Sequence, residues 1–250
     1  METHTPRARR PGLIARALKA AAAALMAPNA EERARDRAQR HAAPLMLPDG
    51  ALAACRYVVF DLETTGLQPS HGDRIVAIGA VRVEAGRILD VDRFATFAQP
   101  GRPIPPASTA IHGITDAMVA GSPPWPEAVA AFHRFAGDAV LVAHNAAFDT
   151  ACLHAAEAQA GVTFANPVLC SLRLSQWLDP DEKAHDLDGL AARHGVVIAG
   201  RHDALGDAEA TAALFCDMLR RAEARRITSL AELFARTRMA RQIAAAAERF

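Results

Sequence analysis

At 250 residues, with 28 Lys and Arg balanced by 28 Asp and Glu, the chain carries no formal net charge, so no global basic field exists to coat nucleic acid and any such binding must be local. Its four cysteines, Cys55, Cys152, Cys170 and Cys216, form no C-x-x-C pair, which argues against a zinc knuckle or a disulfide framework and for a reducing cytoplasm. No apolar run reaches the roughly 20 residues of a membrane span, so the sequence reads as soluble, without a membrane partner, and long enough for one domain with extensions.

Residues 1–50 are rich in Ala and Arg and resemble a transit peptide in composition. Arg16 and Lys19 interrupt the apolar run that a secretory signal requires. The plainer reading is an Ala-rich helix over about 11–26 and a charged segment over 31–39. Pro44 and Pro48-Asp49-Gly50 then mark a boundary. The chain divides into an Ala/Arg-rich extension (1–50), a folded domain (51–226) and an amphipathic basic tail (227–250).

The run Tyr57-Val58-Val59-Phe60 is continuously apolar and β-favouring, as suits a strand covered on both faces, and Thr64-Thr65-Gly66 beyond it is a turn signal. Strand alternation sends Asp61 and Glu63 to the same side. Two like charges roughly 6–7 Å apart repel unless a cation sits between them, and a divalent metal is the common solution. A solvated strand end is the alternative.

A second strand follows over 74–83, a turn over 84–87 and a third strand over 90–99, which together predict an antiparallel meander. Pro103, Pro105 and Pro106 keep the next loop extended, and Thr115-Asp116 caps a short helix reaching Val119. Pro126 starts a helix to about Phe135, and the buried-strand run over 139–143 can return parallel to the first strand. Asn145 is the expected N-cap of a helix over about 147–160. Asp149 then falls in its first turn, where a carboxylate has an ordinary electrostatic reason to be. A short strand over 168–170 and helices over 172–178 and 187–194 lead to His202-Asp203-Ala204-Leu205-Gly206-Asp207-Ala208, which opens a long helix through about Ala224 with Asp207 in its first turn. From Ser229 onward the chain reads as an amphipathic tail with Arg236, Arg238 and Arg241. Ser229-Leu230-Ala231-Glu232-Leu233-Phe234 resembles a clamp-binding peptide only in its Leu-Phe.

Three segments thus each deliver acids at the end of a buried element: Asp61 with Glu63, then Asp149, then Asp207. Hard divalent cations such as Mg2+ and Mn2+ prefer oxygen ligands, and a pair of them about 4 Å apart is a known device for phosphodiester displacement. A neutral imidazole beside the attacking water can take its proton, and His202 is the candidate for that base. His71, His133, His154, His185 and His194 match no ligand spacing and read as surface or core residues.

These residues resemble a family, the DnaQ-like DEDDh 3′–5′ exonucleases, a group that includes the proofreading subunit of the bacterial replicative polymerase. Asp-Leu-Glu-Thr-Thr-Gly at 61–66, His-Asn-Ala-Ala-Phe-Asp at 144–149 and His-Asp-Ala-Leu-Gly-Asp-Ala at 202–208 resemble its three motifs, in order over about 55–224, and Ile111-His112-Gly113-Ile114-Thr115 matches a further common segment. The resemblance implies an α/β, RNase H-like fold, with a mixed five-stranded sheet flanked by helices. It implies that Asp61, Glu63, Asp149 and Asp207 bind two divalent metal ions, Mg2+ or Mn2+, with His202 as general base. It further implies that Thr64, Thr65, His112, Asn145 and Phe148 line a pocket for the terminal nucleotide. Thr65 also reads as turn chemistry, Phe148 as core and His144 as a satisfied strand-end histidine. Cys170-Ser171 departs from the Asp-Thr pair of many relatives, which bears on capping of the following helix.

The expected activity is release of nucleoside 5′-monophosphates from the 3′ end of single-stranded nucleic acid, DNA of the proofreading or repair type, with a DNA polymerase or a replication or repair complex as partner. An exoribonuclease of the same superfamily is the alternative within the enzyme class, since reading of the 2′-hydroxyl depends on pocket geometry. The rival outside it is a catalytically silent nucleic-acid-binding or polymerase-scaffolding module, which has no need of four acids and His202 together.

Overall fold

The computed structural model describes residues 51–247. The helix expected over 11–26, the charged segment over 31–39 and the boundary at 44–50 lie outside the described residues. A short 3-10 turn, Leu52–Ala54, leads into the antiparallel meander of β1 (Tyr57–Thr64), β2 (Ile75–Glu84) and β3 (Arg87–Phe97). Helices α1 (Pro106–His112), α2 (Asp116–Val119) and α3 (Trp125–Ala136) precede β4 (Val140–Ala143), and α4 (Ala147–Ala160) separates it from β5 (Val168–Cys170). Helices α5 (Ser171–Leu178), α6 (Leu187–His194), α7 (Ala204–Ala224) and α8 (Leu230–Ala247) follow. The five strands lie in the order β3-β2-β1-β4-β5, with β4 parallel to β1 and β5 parallel to β4, so the expected mixed α/β sheet is present.

Strand β1 is central, and its apolar run is divided between two cores. Tyr57 and Val59 pack with Leu214, Phe215 and Met218 of α7, while Val58, Phe60 and Leu62 pack with Val129 and Phe132 of α3 and Leu153 of α4. Tyr57 meets Phe215 edge-on at 5.0 Å between centroids, and Phe60 lies 5.2 Å from Phe132. Each such fully buried large side chain contributes about 1.5–3 kcal/mol. Alternation continued past Val59 carries Asp61 and Glu63 to the α7 face, and a register shift between Glu63 and Thr64 ends the regular pairing just beyond them.

Two local expectations are corrected. The proline segment is not extended throughout, because Pro106 takes the first position of α1, where its missing N–H costs no helical bond, and Gly113 at φ 72° ends that helix. Asn145 does not cap α4. It adopts the left-handed conformation at φ 59°, and the N-cap position falls to Ala146, which makes no side-chain cap bond. In the 229–234 stretch Leu230 and Leu233 are fully buried in the same core as Phe215 and Met218. Ser229 and Glu232 make a capping box that starts α8, with the Glu232 carboxylate accepting from the Ser229 amide at 3.3 Å and the Ser229 hydroxyl accepting from the Glu232 amide at 3.3 Å.

How closely α7 approaches the sheet depends on Gly79, which lies opposite Asp61 in the β1–β2 register. A Cβ at Gly79 would sit 2.2 Å from the backbone carbonyl carbon of Ala204, so the first turn of α7 rests directly on β2. Gly206 is equally tight, since its Cβ would lie 1.9 Å from the Ala199 carbonyl oxygen. Gly79→Ala is expected to cost about 1–3 kcal/mol by overpacking, measured by denaturant unfolding. Gly121→Ala, with nothing within 4 Å, is the control and should stay within about 0.5 kcal/mol of wild type.

Candidate active site

Four carboxyls converge where β1 meets the starts of α4 and α7. Glu63, Asp149 and Asp207 are 8%, 4% and 2% exposed, and Asp61 is half-buried between them. Asp149 is brought to β1 by helix α4, and the backbone amides of Leu62 and of Asp149 itself bond its carboxylate. Asp207 follows the N-cap Asp203, whose Oδ1 accepts from the Gly206 amide at 2.9 Å.

Burial shifts all four acids upward. It pushes Glu63 up to about 8, helped by the Asp207 charge, and Asp149 up to about 7 against the pull of those two amides. Burial, and then the charges of Asp149, Glu63 and Asp207, hold Asp61 well above the usual carboxylate range. Asp207 is raised by burial despite the neighbouring Arg201 guanidinium. Arg201, in turn, is held above its ordinary value by Asp207 and Asp188 although burial pulls it down. The two halves of this ion pair therefore disagree, because the cost of burying Asp207 exceeds what one guanidinium returns to it.

His202 sits at φ 62° in the loop before α7, and its backbone amide donates to Asp207 Oδ2 at 3.2 Å. Glu63, His202 and Asp207 each offer a ligand atom within 4.8 Å of the others, so the imidazole is as close to this cluster as a ligand would be. Asp207 Oδ1 is buried without a hydrogen-bond partner. A buried carboxylate oxygen left open among further acids calls for a proton or a cation, and a carboxylate set with one imidazole suits a hard divalent ion. The residues present fit such a metal.

The other expected site residues lie around this cluster with different kinds of access. Thr65 is 2% exposed and spent on the turn, its hydroxyl donating to Asp73 Oδ1 at 2.9 Å and accepting from the Arg74 amide at 3.0 Å. Thr64 donates to the Gly66 carbonyl at 2.8 Å. His112 Nδ1 accepts from the Ile114 amide at 3.0 Å, so Nε2 carries the proton and faces the Thr64 carbonyl at 3.3 Å. Burial lowers the pKa of His112, which keeps it neutral. Asn145 is exposed and Phe148 half-buried against the α3/α4 core. His144 is pushed down to about 4 by burial, and its Nδ1 lies 3.0 Å from the Ser171 hydroxyl, so Ser171 engages His144 rather than capping α5.

Sequence reasoning passed over Asp73, Ser108 and Arg201. Asp73 holds the turn after β1, accepting from Thr65, from the Gln68 amide at 3.0 Å and from Arg102 at 3.1 Å. Ser108 donates to the Thr65 carbonyl at 2.9 Å and ties α1 to that turn, leaving Leu67 and Ile111 80% and 61% exposed on the two tied segments. Adjacent polar residues in a loop carry no periodic signal. Only the Arg201 position beside His202 could have drawn notice.

Known proteins place this arrangement in a family. The exonuclease family model, RNase T, matches residues 58–215. A DNA polymerase III subunit epsilon-like protein of Rhodobacter capsulatus is 46% identical over 194 residues, 77% of this chain and 28% of that protein. A PolC-type DNA polymerase III of Halalkalibacterium halodurans is 41% identical over 172 residues, 68% of this chain and 12% of that protein. The chain thus spans under a third of the length of these relatives. A solved structure of exonuclease X with 5′ overhanging duplex DNA is 32% identical with a TM-score of 0.53, over 66% of this chain and 91% of that one. Exonuclease I of E. coli, solved with a dT13 oligonucleotide, shares the fold at 19% identity and a TM-score of 0.59, over 68% and 42%. The motifs, the mixed sheet and the clustered acids agree with these matches, and the chain belongs to the RNase T exonuclease family of DnaQ-like, RNase H-like proteins.

Proposed function

We propose that the chain is a 3′–5′ exonuclease that removes nucleoside 5′-monophosphates from single-stranded DNA ends, with two Mg2+ or Mn2+ ions held by Asp61, Glu63, Asp149 and Asp207. The observation that carries this reading is the convergence of four acids from three segments, three buried and Asp61 half-buried, around the partnerless Asp207 Oδ1. Divalent ions held there would supply Lewis-acid polarisation of the phosphodiester and a lowered pKa for the attacking water. His202, half-buried in the loop before α7, would take the proton from the attacking water.

Thr64, Thr65, His112, Asn145 and Phe148 line the pocket for the terminal nucleotide. Thr65 acts by shaping the turn and His112 by tethering α1, while Leu67 and Ile111 offer apolar surface to a base. DNA is favoured because the 32%-identical neighbour was solved with it. The epsilon-like and PolC-type relatives point to a polymerase or a replication or repair complex as partner. Residues 51–226 form the catalytic domain together with the start of α8, whose Leu230 and Leu233 lie in its core, and residues 1–50 and the rest of 227–250 are extensions in sequence. The four free thiols suit a reducing cytoplasm, and among the described residues no helix is long and apolar enough to cross a membrane.

On a 5′-labelled single strand, chelator should abolish digestion and Mg2+ or Mn2+ should restore it, with a closed circular strand left intact. Digestion in chelator would refute the metal requirement, nicking of the circle would indicate an endonuclease, and faster trimming of a matched RNA would reassign the substrate.

His202→Ala should slow turnover about 10²–10⁴-fold while weakening Mn2+ binding, read by calorimetry, much less than Asp207→Ala does. Equal loss of Mn2+ binding in the two variants would make His202 a ligand.

The raised carboxyls also set a pH dependence for the chelated protein. An acid whose folded pKa lies above its unfolded value, near 4, holds its proton more tightly when folded, so stability is complete below pH ~4 and lost as pH rises through the folded pKa. With Asp149 near 7 and Glu63 near 8, stability should still be falling between pH 6.5 and 8. His112 and His144, lowered by burial, act mainly below that window and oppose the trend only at its lower edge, where their unfolded counterparts are still partly protonated. Denaturant unfolding in chelator should therefore give a lower stability at pH 8 than at pH 6.5. Adding Mg2+, or replacing both residues with Glu63→Gln and Asp149→Asn, should flatten the difference. A chelated wild type equally stable at both values would show that these acids are solvated.

A further inference from the structure

Arg201 makes contacts that no part of the hydrolytic reaction uses. Its Nε donates to both oxygens of Asp188, at 3.0 and 3.1 Å, near the start of α6, while its Nη1 reaches Asp207 Oδ2 in a short ion pair. The same Nη1 lies 3.2 Å from His202 Nδ1. A guanidinium only donates, so His202 must accept at Nδ1 and carry its proton on Nε2. In this arrangement Asp207 Oδ2 is covered, and the imidazole has no free lone pair with which to accept a proton. Arg201 thus occupies one of the two Asp207 oxygens and idles the base, leaving Oδ1 open, while the exposed Asp188, 63% accessible at its side chain, gives Arg201 a second anchor outside the acid cluster.

We propose that Arg201 is a displaceable counter-cation: it latches the metal-free site by holding Asp207 and His202 Nδ1, and retreats onto Asp188 when a divalent ion takes Asp207. The inference rests on the metal-site reading above. Its charge also reaches Asp61 and Glu63, whose carboxyls it pulls downward against burial, so one side chain partly offsets three of the four acids when no metal is bound. Removal of a bound competitor should tighten the binding of the ion it competes with, and couplings of this kind are typically worth about 5–150-fold.

The test is Mn2+ titration by calorimetry on the full chain, wild type against Arg201→Gln, with imidazole nitrogen shifts of His202 recorded by NMR with and without Mg2+. Arg201→Gln should bind Mn2+ at least about fivefold tighter. Metal-free wild type should show His202 protonated at Nε2 with Nδ1 accepting, and this signature should disappear on adding Mg2+ and be absent from metal-free Arg201→Gln. If Arg201→Gln does not fold, Arg201→Lys keeps the charge but cannot span Asp188 and Asp207 together, and it should bind Mn2+ tighter by a smaller factor. Equal or weaker Mn2+ binding in the folded variant, or a His202 signature unmoved by Mg2+, would overturn the latch while leaving the metal site standing. Failure of folded wild type to bind Mn2+ would overturn both.

Discussion

Four carboxyls share one poorly solvated end of the sheet, and their mutual repulsion is the constraint around which the neighbouring structure is arranged. At an effective dielectric near 20, two unit charges about 5 Å apart repel by roughly 3 kcal/mol. Ligand atoms of Glu63 and Asp207 approach within 4.8 Å, with Asp61 and Asp149 close enough to raise one another. Several such pairs would consume much of the roughly 5–15 kcal/mol by which a domain is stable, so four bare negative charges cannot coexist there. The chain has two ways out, retained protons or cations. The upward shifts of all four acids express the first, and Arg201 and the divalent ions proposed here express the second.

The scaffold meets this constraint by bringing rigid elements very close together. Gly79 lets the first turn of α7 lie on β2, Gly206 lets the preceding loop fold back on that turn, and the register shift after Glu63 releases β1 into the loop that Asp73 organises. Each acid sits on or beside an element packed on the core: Asp61 and Glu63 continue a strand whose Val58, Val59 and Phe60 are fully buried, and Asp207 precedes the buried Ala208, Thr211 and Ala212. Positions fixed by such packing cannot drift apart to relieve repulsion. Held close by their supports, the acids stay poised for cations.

Much of this could be read in the sequence because it follows from local periodicity. The alternation along 57–63 separates the two cores and sends Asp61 and Glu63 to one side, and the start of α7 announces itself through Asp203 and its apolar stripe. What could not be read depends on contacts distant in the chain. Asn145 looked like a cap, but the strand-to-helix passage needs a left-handed residue there. Leu233 read as part of an amphipathic tail, because nothing local reveals the α5 surface and the surrounding core that bury it. Gly79 was invisible because its importance lies in a helix more than a hundred residues away, and Arg201 because its partners Asp188 and Asp207 flank it on separate helices.

Divalent cations, rather than protons or Arg201, are proposed to complete this acid cluster. Anomalous diffraction from crystals of the chain grown with Mn2+ and a nucleoside 5′-monophosphate tests this assignment directly. Manganese peaks are expected among Asp61, Glu63, Asp149 and Asp207, with the Arg201 guanidinium withdrawn from Asp207 to Asp188. Crystals showing no manganese at these residues, with Arg201 still paired to Asp207, would contradict it.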